Sequence, residues 1–353
     1  MTTTMTFPDR RTLTLGDVRA PLTPRAVAPS VDDLLAGVER RERFEPLHAR
    51  SSARFERVWV DGAPHVVKYL HADDDFMMRA LGDLGSRTLQ AFAAGLFDTA
   101  SDVIDNTIVG AAPGAGRNGW GCVLLMRDVS ADLVPPGDDT FPEAQHQGFL
   151  DHLARMCAST WGWRDDIGLV PYATRWSFSS RAVVDVENGR GDPERAAAIV
   201  TTGWEQFAER APGDVVDALG ALQRDVFPLA SALAQTPSCF LHGDWKASNL
   251  GTAADGRTVL IDWVHLGEGP ACHDLGWYLA LNRQKVPTSK EEVIADFRAA
   301  LERQHVGTEA WWDRQLSLAL LGTVVQLGWE KAYGDDEELG WWCDRAREGL
   351  AWL

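Results

Sequence analysis

The hydrophobic period changes once along this chain, near residue 130, and that change restricts the architectures open to it. Ahead of it, apolar residues come in runs of strand length. Phe55 to Val60, Asp61-Gly62 and His65 to Leu70 read as strand, tight turn and strand, and Val103 to Val109 and Trp120 to Val129 as two more strands. From Pro142 onward apolar residues recur at three- and four-residue spacing. That pattern predicts helices over Glu143 to Trp161, Pro193 to Arg210, Asp214 to Phe227, Asp274 to Asn282, Ser289 to Gln304, Glu309 to Tyr333 and Glu337 to Leu353. Ser289 with Glu292 forms a capping box, and Pro228 must break or restart the third helix. Strands first and helices afterwards imply an α+β chain whose sheet and helices are segregated. Ser30 to Phe44 reads as an earlier helix, with Ser30 as N-cap, Asp32 and Asp33 in the first turn, Arg40 to Arg43 in the last, and Leu34, Leu35 and Val38 on one apolar face. Residues 1–30, rich in Thr, Pro and Arg, read as an N-terminal extension.

One stretch breaks the helical pattern. Cys239 to Leu241 and Thr258 to Ile261 read as short buried strands with a turn at Asp255-Gly256 between them, a hairpin that returns Asp262 to Asp244 and Asn249. A carboxylate can orient a hydroxyl and take its proton, while an Asn oxygen and a second carboxylate are the hard ligands that Mg²⁺ prefers. Phosphoryl transfer needs these parts, because its barrier falls through positioning and charge neutralisation. Lys246, two residues after Asp244, places a cation beside a phosphate in transit. Lys68 is a second candidate: a lysine inside the apolar run Val66 to Leu70 is costly unless its ammonium meets a partner or ligand.

The run His242-Gly-Asp244-x4-Asn249, then Ile261-Asp262-Trp263, resembles the aminoglycoside phosphotransferase and choline kinase family, the small-molecule branch of the protein-kinase-like fold. Gly267-Glu-Gly269-Pro270 and Asp274-Leu275-Gly276 continue the likeness. The resemblance implies a bilobal α+β fold, with a small lobe built on a five-stranded antiparallel sheet and a larger, mostly helical lobe. The division would be an extension over 1–30, a nucleotide-binding lobe over 31–130, and a catalytic and substrate lobe over 131–353. It makes Asp244 the catalytic base with Lys246 beside it, Asn249 and Asp262 the Mg²⁺ ligands, His242 a packing residue and Asp274 a structural anchor. Lys68 matches the family's phosphate-holding lysine. Its usual partner is a Glu on the next helix, yet no Glu lies between Asp73 and Gln90; Asp83 is the best-placed substitute, with Asp74 and Asp75 behind it. Ser51 and Ser52 fall where the family covers the phosphates. Leu124 to Val129 resembles the hinge whose backbone meets adenine, placing Met126 and Val129 at the nucleotide. Implied cofactors are ATP or GTP with Mg²⁺. The acceptor would be a hydroxyl on a small molecule, and Glu268 with the acidic composition leans toward an amine-bearing one.

Composition excludes other classes. A formal net charge of −17 argues against nucleic acid, which demands clustered cationic surface. No apolar run reaches the ~18 residues of a membrane span. Five cysteines without a Cys-x-x-Cys pair, and a start without a signal-peptide core, point to a cytoplasmic chain. Gly114-x-Gly116-x-x-Gly119 is followed by a strand rather than a helix, so it reads as a hairpin loop, not a dinucleotide site. Two rivals remain open: a metal hydrolase using His242, Asp244, His265 and His273, and a kinase-like binder without turnover. The sequence leaves the oligomeric state open.

Overall fold

The computed structural model describes residues 22–45, 53–98, 100–116, 120–191 and 195–353. After a short helix α1 (Val31–Leu34), strands β1 (Val38–Arg43), β2 (Arg54–Val60) and β3 (Ala63–Leu70) form a meander. Asp61 and Gly62 join β2 to β3 with φ of 49° and 72°, the left-handed pair that a two-residue hairpin turn requires. Helices α2 (Phe76–Ala80) and α3 (Arg87–Ala94) follow, then β4 (Ile104–Asn106), β5 (Ile108–Ala115) and β6 (Gly121–Arg127). The five-stranded sheet runs β1-β2-β3-β6-β5 and is antiparallel throughout. Gly110 and Gly114 of the Gly-rich segment lie within β5 and Gly116 just after it, while residues 117–119 lie outside the described residues.

Two expectations in this half were wrong. Only Val31–Leu34 is helical, capped by Ser30 Oγ accepting from the Asp33 amide at 3.1 Å; Val38–Arg43 is an edge strand on β2. Its charged residues find cross-strand partners there. Arg41 Nε donates to Glu56 at 2.9 Å and the Arg40 guanidinium lies 4.3 Å from the Trp59 ring, pairings a helix would forgo. A charged edge also resists pairing with other chains. The run Val103 to Val109 is likewise divided: β4 leaves the five-stranded sheet to pair elsewhere, and only β5 stays.

The period-two alternation of β3 sorts its side chains. Val67 joins Val58, Val123, Leu125 and Leu35 in a small core on one face, with Leu34 and Val38 packed against it. Lys68 and Leu70 point to the other face, toward the helices.

The helical half contains α4 (Glu143–Ser159), α5 (Arg181–Asn188), α6 (Arg195–Arg210), α7 (Gly213–Arg224) and α8 (Phe227–Leu233), then the short strands β7 (Cys239–Leu241), β8 (Leu250–Thr252), β9 (Thr258–Leu260) and β10 (Gly267–Gly269). It ends with α9 (Cys272–Leu281), α10 (Lys290–Arg303), α11 (Trp312–Lys331) and α12 (Asp336–Leu350). Helix α11 is buried on nearly every side from Leu318 to Gly328, as expected of a helix apolar all round, and α6, α9 and α12 pack on it. Gly276 makes the α9 contact possible, since a Cβ there would lie 2.2 Å from Thr323 Oγ1. The capping box at Ser289 and Glu292 forms as read. Pro228 opens α8, and Trp312 and Trp342 belong to the core. Helix α5 was not anticipated; at eight residues it gives too little periodicity to detect.

The expected hairpin is also corrected. Strand β7 pairs with β10, not β9, while β9 lies between β8, antiparallel, and β4, parallel. The Asp255-Gly256 turn therefore joins β8 to β9. Among the described residues no helix is long and apolar enough to cross a membrane.

Candidate active site

The turn after β7 is held from behind. His242 and Gly243 donate their amides to the two Asp274 carboxylate oxygens at 3.1 and 2.9 Å. Gly243 has φ of 84°, and a Cβ there would sit 2.3 Å from the His265 carbonyl oxygen, so only glycine fits. The His242 ring is committed on both sides: Nδ1 accepts from the Asp244 amide at 3.2 Å, and Nε2 donates to the Ile261 carbonyl at 3.0 Å. These bonds fix Asp244 at the mouth of the turn and draw the end of β9 toward it.

Asp244 is buried, and its two oxygens differ. Oδ2 accepts from Lys246 Nζ at 2.7 Å and Asn249 Nδ2 at 2.9 Å. Oδ1 is buried without a protein partner. Burial pushes the Asp244 carboxyl above its ordinary pKa; Lys246 opposes that shift and nearby Asp262 reinforces it. Asn249, on a single 3-10 turn and 4% exposed, also donates Nδ2 to the Asp244 carbonyl at 3.0 Å, so both of its recorded side-chain bonds are made by the nitrogen. The Asn249 carbonyl accepts from the Ile261 amide at 3.1 Å, bringing Asp262 alongside. Asn282, which sequence reasoning missed, pins the next residue by accepting from the Ala247 amide at 2.7 Å.

Asp262 has φ of 65° and ψ of 69°, a left-handed conformation uncommon outside glycine. The turn points its carboxylate back at the sheet, where Lys68 Nζ donates to Oδ1 at 2.8 Å. Burial alone would raise the Asp262 pKa, but the Lys68 charge and hydrogen bond drive it well below the carboxylate range. Burial alone would lower the Lys68 pKa; Asp262 first, and Asp75 further off, hold it above its ordinary value. Beside the pair lies a narrow recess walled by Leu70, Ile108, Leu124, Met126, Trp263 and Val264. Apolar walls around an ion pair suit a flat, partly apolar ligand with an anionic end.

Residues 139–312 match the model of the phosphotransferase enzyme family, APH. Over that stretch the chain is similar to this family. The choline kinase LicA from Streptococcus pneumoniae superposes with a TM-score of 0.52 at 12% identity, covering 91% of this chain and 96% of its own. LicA in complex with AMP gives 0.50 at 12% identity, covering 92% and 98%. A microcompartment-associated aminopropanol kinase gives 0.49 at 16% identity, covering 91% and 94%. Identities this low speak for the fold, which is protein-kinase-like. No curated protein matches the chain in sequence.

The structure brings together Lys68, Asp244, Lys246, Asn249 and Asp262, and it lines the recess with Met126. Other candidates are placed differently. Asp83 does not pair with Lys68: its two oxygens accept from the Arg87 amide at 3.0 and 3.1 Å, at the start of α3. Asp75, the N-cap of α2, is the buried acid in the field of Lys68 and Asp262. Glu268 is bound to Arg164 and accepts from the Asp165 amide at 3.0 Å, so it serves the β10 loop. Val129 is buried beyond the residues that wall the recess. Ser51 and Ser52 lie outside the described residues. The hydrolase quartet is not assembled: His242 spends both nitrogens on backbone, and the described residues hold no group of three or more His, Cys, Asp or Glu arranged for a metal.

Proposed function

We propose that this chain transfers the γ-phosphate of Mg·ATP, or of Mg·GTP, to a hydroxyl of a small molecule. The observation that carries the reading is Asp244 Oδ1, an acceptor buried with no partner beside an otherwise fully bonded carboxylate. A buried oxygen left unmet is costly, and a substrate hydroxyl would meet it. Asp244 then orients that hydroxyl and receives its proton on Oδ1, while Lys246 and Asn249 keep Oδ2 from rotating away. Lys246, 30% exposed, reaches the transferring group as a counter-charge.

The donor set fits a hard cation. The Asn249 amide oxygen and the Asp262 carboxylate, 37% exposed, would hold Mg²⁺. Bound there, the ion supplies neutralisation of the nucleotide's phosphates. Lys68 holds Asp262 in place through Oδ1 and presents its charge to the same phosphates. In this reading residues 31–130 form the nucleotide lobe and 131–353 the catalytic one. An amine-bearing acceptor is proposed on the net charge of −17 alone, since Glu268 is otherwise engaged.

The test is to incubate the protein with Mg·ATP or Mg·GTP and a pool of hydroxylated metabolites, with and without a chelator. Mass spectrometry should find a product that has gained one phosphate only when Mg²⁺ is present. Nucleotide binding without consumption across a wide acceptor panel would instead identify a kinase-like binder that does not turn over.

A further inference from the structure

One ion pair joins the sheet half to the helical half at α2 and plays no part in the chemistry above. Arg79, one turn after the Asp75 cap, sends Nε and Nη2 to the two Glu187 oxygens on α5, Nε at 2.8 Å. Its remaining nitrogen, Nη1, donates to the carbonyls of Ala72 at 2.7 Å and Asp73 at 3.0 Å. Those carbonyls belong to the segment that leaves β3, the strand carrying Lys68. A single guanidinium therefore fastens the β3–α2 connection to itself and to a helix more than a hundred residues later. Glu187 is 4% exposed, and Arg190 stands 3.6 Å from it.

We infer that the Arg79–Glu187 pair is a positioning device for the candidate nucleotide site: it locks α2 against α5 so that the Asp75 cap keeps its place at the end of the segment leaving the Lys68 strand. Two-pronged Arg–carboxylate geometry fixes orientation as well as distance, and α2 is too short to hold a direction on its own. Lys68 has Asp262 as its direct partner. Once Asp262 is drawn to other ligands, Asp75 is the remaining acid in the field of the ammonium, and its placement depends on α2. Met78 donates its amide to Asp75 Oδ1 at 3.0 Å, so any rotation of α2 carries the carboxylate with it. The inference rests on the phosphotransfer reading for its kinetic consequence but not for its structural one.

The test uses the full chain with Arg79→Lys, Arg79→Met, Glu187→Gln and the reversed pair Arg79→Glu/Glu187→Arg. Amide exchange over residues 72–80 is measured in each, along with binding of a non-hydrolysable Mg·ATP analogue and the kcat and KM of any phosphotransfer found. The single variants should exchange faster over 72–80 and lose about tenfold to a hundredfold in kcat, the scale of a misplaced catalytic group. The acceptor KM should stay within about twofold. The reversed pair can restore the α2–α5 contact but not the donation to the Ala72 and Asp73 carbonyls, so it should recover only part of both losses. Unchanged exchange over 72–80 in Arg79→Lys and Glu187→Gln would overturn the inference, as would singles with wild-type kcat in an active enzyme. A wild-type protein that neither binds nor consumes nucleotide would sink the phosphotransfer reading alone, and the exchange data would still decide the clamp.

Discussion

Two of the buried clusters of charge are finished differently. At the C-terminal end Glu338, 3% exposed, has every valence met. Oε1 accepts from Trp342 Nε1 at 2.7 Å, Oε2 from Lys290 Nζ at 2.5 Å, with Arg283 at 3.4 Å, and Lys331 turns its ammonium to the Ala280 carbonyl. At the end of β7 the partners are as close, yet Asp244 Oδ1 is left unmet and Asp262 and Lys246 reach solvent. The first cluster ties α10, α11 and α12 together and has nothing to offer a ligand. The second is a network with bonds still to make. Completeness, more than the amount of buried charge, separates scaffolding from chemistry.

The comparison can be broken in several places. The largest effect is expected from Asp244→Asn, which keeps the shape but not the base: turnover should fall by about 10²–10⁴-fold, while analogue affinity measured by calorimetry stays near wild type. Equal loss of both would make Asp244 a structural residue like Glu338. Next, Glu338→Ala should cost about 3–5 kcal/mol of stability in denaturant titration, because it strands buried cations. Any activity should persist below the melting transition. That cost has a pH signature. Burial alone would raise the Glu338 pKa, but Lys290, Lys331 and Trp342 lower it beneath its ordinary 4.5. A depressed folded pKa gives stability that is complete above 4.5 and fades as the pH falls through the folded value. The gap between wild type and Glu338→Gln should therefore shrink in acid, and a gap that grows there would refute the ion-pair account. Lys68→Met should lower turnover about 10²–10³-fold and weaken the analogue, unlike Asp244→Asn. The smallest effect belongs to Ser289→Ala, which opens one capping box for about 1 kcal/mol and should leave both clusters intact.

The proximity of the Asp244 cluster was legible because most of it is local. Asp244, Lys246 and Asn249 sit within six residues, and the β8–β9 hairpin returns Asp262. Lys68 was legible for another reason, since a cation in an apolar strand advertises a partner. What failed was partnership over distance. Periodicity marks Cys239–Leu241 and Thr258–Leu260 as strands but does not say which neighbours they take, so β7 with β10 and β9 with β4 were missed. Asp83 had the better spacing from Lys68, yet the break between α2 and α3 turned it into a cap for Arg87 and left Asp75 near the ammonium. Val38–Arg43 carries one apolar residue among five charged ones, so no apolar period separates helix from strand, and the facing Glu56 and Trp59 decided it. Glu338 gave no signal at all, because its partners come from three other segments.

The parallel pairing of Ile104–Asn106 with Thr258–Leu260 has a practical consequence. A fragment begun at residue 131, where the hydrophobic period invites a cut, would keep every residue from His242 to Asp274 but strip the strand leading into Asp262 of one flank. Its bared edge would seek another copy, so the excised helical piece should clump unless residues 101–107 are restored to it, covalently or as a peptide.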